Sequence, residues 1–388
     1  MAEDQSAVRF VNDLLARAVA ENASDVHIEP QENQVRVRIR VDGMLRDTDR
    51  PPLAMGPAIT AHIKVLGDLD ISEKRMAQDG RFDLRVAART IDVRLSTFPT
   101  IYGESVVLRL LDRAQKPLSL TELGMGAGMA TEFEKLFRQP HGILLVTGPT
   151  GSGKTTTLNT VLHDIRCEEK NIVTIEDPVE YRLGGIRQCQ VNRKAGITFS
   201  EGLRSLLRQD PDIIMVGEIR DSETAEIAFQ AALTGHLVLS TLHTNDAAGA
   251  LTRLVDMKVE PFLISSSVLG VLAQRLVRRV CKRCAESYVP PEPILRRLGA
   301  QSGAKFKRGV GCPECNDLGY RGRIGIYELL PLDSTIRRMV MENKSADDIK
   351  QLAVKMGLVP LREDAAAKAR AGLTTAEEVI RVTQDAPV

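Results

Sequence analysis

The amino-acid sequence predicts an α/β protein: a domain with a mostly parallel sheet, preceded by a smaller α+β domain. Three observations predict this fold. Short apolar strands alternate with helical or loop segments through the middle of the chain, and a glycine-rich loop follows the first of these strands. The amino-terminal segments instead alternate apolar and polar residues, which is typical of half-exposed strands. A chain of 388 residues is also too long for one compact core.

The first domain is expected over residues 1–111. Apolar residues at helical spacing predict a helix over 8–20, and a second helical segment covers 58–69. Alternating strands are predicted at 25–29, 35–41, 82–86 and 91–95. The polar, proline-containing stretch 112–121 is interpreted as a linker.

The second domain is expected over residues 122–388. Its apolar strands are predicted at 143–146, 172–175, 213–216 and 237–240. Strands in alternation with helices imply a parallel sheet that is covered on both faces. A cysteine-containing segment is expected over 271–327, and the charged, alanine-rich tail 333–388 is predicted to be helical.

Composition narrows the class of protein. Lysine and arginine number 52 against 51 acidic residues, and this balance argues against a general nucleic-acid binder. No apolar run approaches the ~20 residues that span a bilayer, and the amino terminus lacks the pattern of a signal peptide. We therefore expect a cytoplasmic protein whose cysteines are thiols or metal ligands.

A phosphate-binding loop is the strongest motif. It consists of Gly148, Pro149, Thr150, Gly151, Ser152, Gly153, Lys154 and Thr155, and Thr156 continues the expected contact with nucleotide. The glycines let backbone N–H groups turn toward an anionic phosphate chain. Lys154 is expected at the β- and γ-phosphates, and the Thr155 hydroxyl is expected to hold Mg²⁺. The motif predicts that the protein binds ATP with Mg²⁺.

Acidic residues follow two of the apolar strands. Glu218 comes after the 213–216 strand and is predicted to orient the attacking water or to bind Mg²⁺ through one. The cluster Glu176, Asp177 and Glu180 follows the 172–175 strand, and Mg²⁺ would offset the repulsion among its carboxylates. Solvated acids at strand ends are the alternative interpretation.

Two histidines and three arginines are further candidates. His236 and His243 lie before and after the fourth apolar strand, where a neutral imidazole would hydrogen-bond to a phosphate or an acid. Arg81, Arg94 and Arg109 lie on predicted strands of the first domain, where one of them would act as an arginine finger. Purely structural histidines and a solvated strand face are the alternatives.

Four of the six cysteines form two pairs. Cys281 and Cys284 are followed after 27 residues by Cys312 and Cys315, each pair spaced C-x₂-C. Two such turns complete a tetrahedral set of four thiolates for Zn²⁺, with no open position for catalysis. Unmetallated thiols or a redox pair remain the alternatives. Cys167 and Cys189 are interpreted as simple thiols.

In this order the motifs resemble the secretion ATPase superfamily, in particular the motors of type IV pilus assembly and of type II secretion. The resemblance covers nearly the whole chain. Its segments are 24–30, 40–43, 78–81, 103–104, the phosphate loop, 176–180, 217–221 and 236–245. It implies a RecA-like ATPase domain preceded by a PAS-like domain, and the four cysteines fit the assembly and secretion motors better than the retraction motors.

The resemblance also implies roles for the candidate residues. Glu218 corresponds to the Walker B glutamate, and Glu180 to the acid that helps to position Mg²⁺ or water. His236 and His243 match paired histidines of the family, and the three arginines fall where the first domain approaches nucleotide at a subunit boundary. Motors of this type carry a further amino-terminal domain, and the chain begins at the family's second domain.

The function implied by the resemblance is that of a homohexameric ATPase at the inner membrane. It would act on a membrane platform protein together with membrane recruitment components, and without nucleic acid. Type IV pilus assembly is the first interpretation, and assembly of pseudopilins in type II secretion is the alternative. A nucleotide-binding scaffold without turnover and a DNA-transfer ATPase are the interpretations from other classes, and the near-neutral charge does not favour the latter.

Overall fold

The computed structural model describes residues 2–87, 89–112 and 117–383. The chain divides into two compact units, Met1–Lys116 and Pro117–Val388, and each is described by itself. Residues 113–116 of the predicted linker, residue 88 and the two chain ends lie outside the described residues.

The first unit is an antiparallel six-stranded sheet in the order β3-β2-β1-β6-β5-β4. Its elements are α1 (Ala2–Ala20), β1 (Asp25–Pro30), β2 (Val35–Val41), β3 (Met44–Asp49), α2 (Gly56–Leu66), β4 (Gln78–Val86), β5 (Arg89–Thr100) and β6 (Gly103–Asp112). Alternation buries one face of the sheet beneath the two helices, where Val26, Ile39, Val93 and Leu108 are fully buried. The other face carries the charged residues of the same strands.

The second unit is built on a seven-stranded sheet in the order β15-β12-β7-β11-β10-β8-β9. Its strands are β7 (Gly142–Thr147), β8 (Ile172–Glu176), β9 (Arg187–Gln190), β10 (Ile213–Val216), β11 (Leu237–Leu242), β12 (Val268–Val280) and β15 (Tyr320–Pro331). Every pairing is parallel except that of β12 with β15. The four strands predicted from apolar runs are β7, β8, β10 and β11, which form the buried centre. The α/β prediction is confirmed.

Helices cover both faces of this sheet. They are α3 (Ala127–Phe137), α4 (Lys154–Ile165), α5 (Phe199–Leu206), α6 (Ser222–Leu233), α7 (Ala247–Asp256) and α8 (Pro261–Ser267). Asp221 and Asp246 cap the amino ends of α6 and α7 by accepting backbone N–H bonds. Among the helices that the structure describes, none is long and apolar enough to cross a membrane.

The cysteine segment is an insertion between two long strands. The ends of the predicted range 271–327 belong to β12 and β15, which pair with each other over most of their length. Between them lie α9 (Glu292–Arg297) and a two-stranded sheet of β13 (Ala285–Tyr288) and β14 (Phe306–Gly309). After β15 come four helices, α10 (Ser334–Met341), α11 (Ala346–Lys355), α12 (Leu361–Arg370) and α13 (Ala376–Thr383). Their apolar faces join the main core.

Candidate functional site

The candidate site lies where parallel strands end at one edge of the second sheet. Thr147, the last residue of β7, is opposite Leu242 of β11. Val216, the last residue of β10, is opposite Ile175 on one side and Ser240 on the other. Because parallel strands end together, the segments that follow them meet at this edge. These segments begin with the phosphate loop, Asp177, Glu218 and His243.

The conformation of the phosphate loop depends on its glycines and on hydrogen bonds from its lysine. Gly148, Gly151 and Gly153 all have positive φ angles, of 150°, 77° and 89°. Helix α4 begins at Lys154, so its amino-terminal N–H groups face the loop. The Lys154 ammonium donates to the carbonyl oxygens of Gly148 at 2.8 Å and of Pro149 at 3.1 Å. Burial lowers the pKa of Lys154 to about 8, although the charge of Glu218 opposes this.

The remaining loop residues differ in exposure. Ser152 is buried, Thr150 and Thr155 are exposed, and Thr156 is half-buried on the first turn of α4. The Thr155 residue is therefore exposed at the amino-terminal end of α4, the end of a helix that favours anions. Its binding of Mg²⁺ stays a prediction.

The Glu218 carboxylate contacts two side chains, those of Arg220 and His243. Its two carboxylate oxygens are 2.5 Å from the Arg220 guanidinium and 3.3 Å from Nε2 of His243. Burial raises the pKa of Glu218, but Arg220 and then His243 outweigh that effect, so the net pKa lies below the usual value. The carboxylate is therefore ionised at neutral pH. The sequence suggested His243 as a partner for an acid, whereas the role of Arg220 was missed.

Glu176 does not belong to the crevice, in contrast to the acidic cluster predicted from the sequence. Its carboxylate accepts hydrogen bonds from the Thr174 hydroxyl at 2.7 Å and from the Gln188 amide at 2.9 Å. Burial raises its pKa, and the charge of Glu180 adds to this effect. Glu180 itself is half-buried. The cluster is therefore divided, with Glu176 serving to fasten β9 to β8.

Hydroxyl groups fasten the strand ends to one another, and no sequence motif marks them. The Thr147 hydroxyl donates to the Leu242 carbonyl at 3.1 Å and accepts from the Thr244 N–H at 2.9 Å. The Thr241 hydroxyl donates to the Gly217 carbonyl at 2.7 Å. These bonds hold the segment of His243 against β7 and the segment of Glu218 against β11.

His236 lies at the wrong edge of the sheet for the role expected of it. It precedes β11, whereas His243 follows it, and the six residues between them span about 20 Å. Its backbone carbonyl accepts from the Gly142 N–H at the start of β7, and its Nδ1 is 2.8 Å from the Ala231 carbonyl. Within the second unit, the structure does not bring His236 to the phosphate loop.

The three arginines form a row across the open face of the first sheet. Arg94 of β5 is opposite Arg81 on β4 and Arg109 on β6. Arg81 donates from Nε to the buried carboxylate of Asp92 at 2.6 Å. Arg109 is 3.2 Å from the carboxylate of Asp25, and its side chain is 61% exposed. Carboxylates on the same face thus offset the repulsion within the row.

The four cysteines converge as predicted. Their sulfur atoms all lie within 4.8 Å of one another. The Sγ–Sγ distances are 3.8 Å for Cys281–Cys312, 3.8 Å for Cys284–Cys315 and 3.6 Å for Cys312–Cys315. A tetrahedron with zinc–sulfur bonds of about 2.3 Å has edges of about 3.8 Å, whereas a disulfide needs about 2.05 Å. The geometry therefore fits a metal ion better than a disulfide.

Backbone donors favour the thiolate form of Cys315, whereas burial raises the pKa of Cys284 and of Cys312. The N–H groups of Gly319 and Cys312 each donate to the Cys315 sulfur at 3.3 Å. Burial raises the pKa of Cys315, but these donors outweigh it and bring the pKa to about 7. Cys167 is exposed and Cys189 half-buried, and both are free thiols.

A sequence model of the family described as Type II/IV secretion system protein matches residues 1–381. The chain belongs to this family. It is 54% identical over 379 residues to the type II secretion system protein HxcR of Pseudomonas aeruginosa, covering 98% of this chain and 78% of that protein. It is 50% identical to the type IV pilus assembly ATPase PilB of Thermus thermophilus, covering 98% of this chain but only 43% of PilB.

A solved structure supports the fold. The ATPase DotB of Legionella pneumophila has a TM-score of 0.72, with 21% identity, over 97% of this chain and 96% of DotB. The membership in a family of secretion and pilus ATPases confirms the enzyme class predicted from the sequence. The identities of 54% and 50% do not separate type II secretion from pilus assembly.

Proposed function

We propose that this family member is a motor that couples ATP hydrolysis to the assembly of a filament of pilin-like subunits. The observation that carries the proposal is the ionised Glu218 carboxylate at the same sheet edge as the phosphate loop. The electrostatic influence of Glu218 on Lys154 supports their proximity. An intact loop without such a carboxylate would suit a nucleotide-binding scaffold equally well.

Each group at the edge has a place in phosphoryl transfer. Backbone N–H groups of the loop and Lys154 bind the β- and γ-phosphates, and Glu218 orients the attacking water. Thr155 and Glu180 would hold Mg²⁺, which supplies charge neutralisation at the phosphates. His243 contacts Glu218, so it is placed to couple that carboxylate to the state of the nucleotide.

The four cysteines would hold a structural Zn²⁺. The distances between their sulfur atoms suit tetrahedral coordination, and all four positions are filled by protein ligands. The metal would act as a cross-link that joins the two C-x₂-C turns of this inserted segment.

The motor is proposed to work as a homohexamer in the cytoplasm, at the inner membrane, on a platform protein. An arginine of the row in the first unit would neutralise phosphate charge in a neighbouring subunit. The Arg109 side chain is 61% exposed, compared with 43% for Arg81. Such a contact would tie hydrolysis at one site to the geometry of the next.

The relatives include a type II secretion system protein and a type IV pilus assembly ATPase. They therefore support a motor function that is common to both systems, which we propose to be the assembly of pilin-like subunits. Pilus assembly was the first interpretation of the sequence, and pseudopilin assembly its alternative. Complementation decides between them: the gene is introduced into strains lacking either motor, and twitching and secretion are scored. Restored twitching alone supports pilus assembly, and restored secretion alone supports the alternative.

The first biochemical test mixes subunits. ATP hydrolysis is measured against protein concentration, with Glu218→Gln added at increasing fractions. A ring motor is expected to gain specific activity with concentration and to lose it faster than the mutant fraction rises. Activity that is independent of concentration and merely diluted by the variant would contradict the ring. Absence of hydrolysis together with tight ATP binding would favour the scaffold.

A further inference from the structure

Strand β12 continues past the point where its neighbour ends. It pairs in parallel with β7 from Val268 to Ala273, and Ala273 is opposite Thr147, the last residue of β7. The chain of β7 then turns away into the phosphate loop, whereas β12 runs on to Val280. The next residue of β12, Gln274, therefore lies beneath the loop.

The Gln274 side chain connects the phosphate loop to the first turn of α4. Its carboxamide Nε2 donates to the Ser152 carbonyl at 2.8 Å, and its Oε1 accepts from the Thr157 hydroxyl at 2.7 Å. Gln274 is 1% exposed and Thr157 is fully buried. Both bonds are thus shielded from water. A donor or acceptor left unpaired at this buried position would lower the stability of the fold.

The strand also presses directly on two glycines of the loop. A Cβ at Gly148 would lie 2.3 Å from the backbone oxygen of Gln274, and one at Gly153 would lie 2.8 Å from its Nε2. The glycines at these positions are therefore required by the close approach of β12 as well as by their positive φ angles.

The orientation of the Ser152 carbonyl matters for anion binding. A phosphate in such a loop is bound by N–H groups, and a carbonyl oxygen turned toward it would repel it. The peptide between Ser152 and Gly153 rotates at low cost, because Gly153 tolerates most φ values. The Gln274 amide removes this freedom by holding the carbonyl toward β12.

We propose that Gln274 is a positioning residue for nucleotide binding, which fixes the Ser152 peptide so that the loop presents only donors to the phosphates. This inference rests on the proposed function and adds a residue to it. Arg275, the next residue of β12, lies 3.3 Å from the Asn245 side chain, so the same strand also touches the segment after His243.

The test uses a matched pair of variants of the full chain. Gln274→Met keeps the length of the side chain and removes both hydrogen bonds, whereas Thr157→Val removes only the bond to the helix. The dissociation constant of MgADP is measured by calorimetry, and kcat and KM for ATP are measured in parallel. Thermal melting checks that both variants are folded. If Gln274→Met does not fold, Gln274→Asn, whose amide is too short to reach Ser152, replaces it.

We expect Gln274→Met to raise the dissociation constant and KM about tenfold, with kcat at saturating ATP within about threefold. Thr157→Val is expected to change the dissociation constant less than about threefold. Equal effects of the two variants, or unchanged affinity in Gln274→Met, would overturn the inference. If wild type and Lys154→Ala were equally unable to bind nucleotide, the proposed function itself would fail.

Discussion

The carboxyl ends of β8 and β10 have the same appearance in sequence and opposite environments in the structure. Each is an apolar strand that leads to a glutamate, Glu176 or Glu218. Glu176 is 3% exposed, and this burial raises its pKa although the hydrogen bonds from Thr174 and Gln188 act in the opposite direction. Glu218 is less buried and paired with Arg220 and His243, so its pKa is lowered.

The difference teaches that a glutamate near the end of an apolar strand is not, by that pattern alone, a residue of the site. Glu176 is the last residue of its strand, and its side chain turns into the sheet toward Thr174 and Gln188. Glu218 lies two residues past the end of β10, where the chain has left the sheet and reaches the loop edge. One carboxyl group stabilises a strand, and the other lies at the loop edge, where we propose that it acts on the nucleotide.

The largest expected effect is on turnover. Glu218→Gln is expected to lower kcat for ATP about 100-fold or more while leaving MgADP affinity near that of wild type, because the amide cannot orient water as a base does. Glu176→Gln keeps both hydrogen-bond acceptor contacts and is expected to change kcat less than threefold. Steady-state hydrolysis and calorimetry measure both. Comparable losses in the two variants would abolish the distinction.

The free energy of unfolding is expected to depend more on Glu176 than on Glu218, the reverse of the order expected for turnover. Glu176→Leu leaves the buried Thr174 hydroxyl without this acceptor and the Gln188 amide with only the Tyr181 carbonyl, so we expect the free energy of unfolding to fall by about 2 kcal/mol. Glu218→Leu removes a partly exposed group and is expected to change it by less than about 0.5 kcal/mol. Chemical denaturation provides the measurement, with reversibility checked by refolding. A greater loss in Glu218→Leu would contradict this assignment.

Nucleotide affinity should depend on pH through Lys154. The pKa of Lys154 is about 8 in the free protein, and bound phosphate favours the charged form. Affinity is therefore expected to be full below pH 8 and to fall by up to about tenfold per pH unit above it. Because the charge of Glu218 raises this pKa, Glu218→Gln should move the fall to lower pH, whereas Glu176→Gln should not. MgADP titrations across this range test both; a flat profile would contradict the argument.

The smallest effect concerns the acid limb of activity. If Glu218 orients the attacking water as proposed, hydrolysis requires its ionised form, so activity is expected above the pKa of this residue and is lost as the pH falls through it. Arg220 lowers that pKa. Arg220→Gln should therefore shift the acid limb of the kcat profile to higher pH, and a Glu176→Gln control should leave it in place. An unchanged limb in Arg220→Gln would show that the ion pair does not tune Glu218.

Several parts of this site were accessible to sequence reasoning because they are local. The phosphate loop, Glu218 and the cysteine pairs each depend on short spacings beside a strand or turn. His236 and His243 were predicted to act at the same site. They lie on either side of the six-residue strand β11 and therefore at opposite edges of the sheet, which the spacing in the sequence already indicates. Gln274 was missed because its contact with Ser152 joins positions far apart in the chain, and a buried glutamine on an apolar strand has no motif.

The pairing of Val280 with Tyr320 places the two ends of the cysteine segment side by side. These residues are neighbours across an antiparallel hairpin, and the whole segment 281–319 leaves and re-enters the sheet between them. Its Leu295, Leu298 and Phe306 are buried in the core that the sheet shares with the carboxyl-terminal helices. The segment is therefore one inserted piece that covers part of this core, farther along β12 than the Gln274 contact. A metal held by its cysteines would thus stabilise the packing of this piece and take no part in nucleotide chemistry.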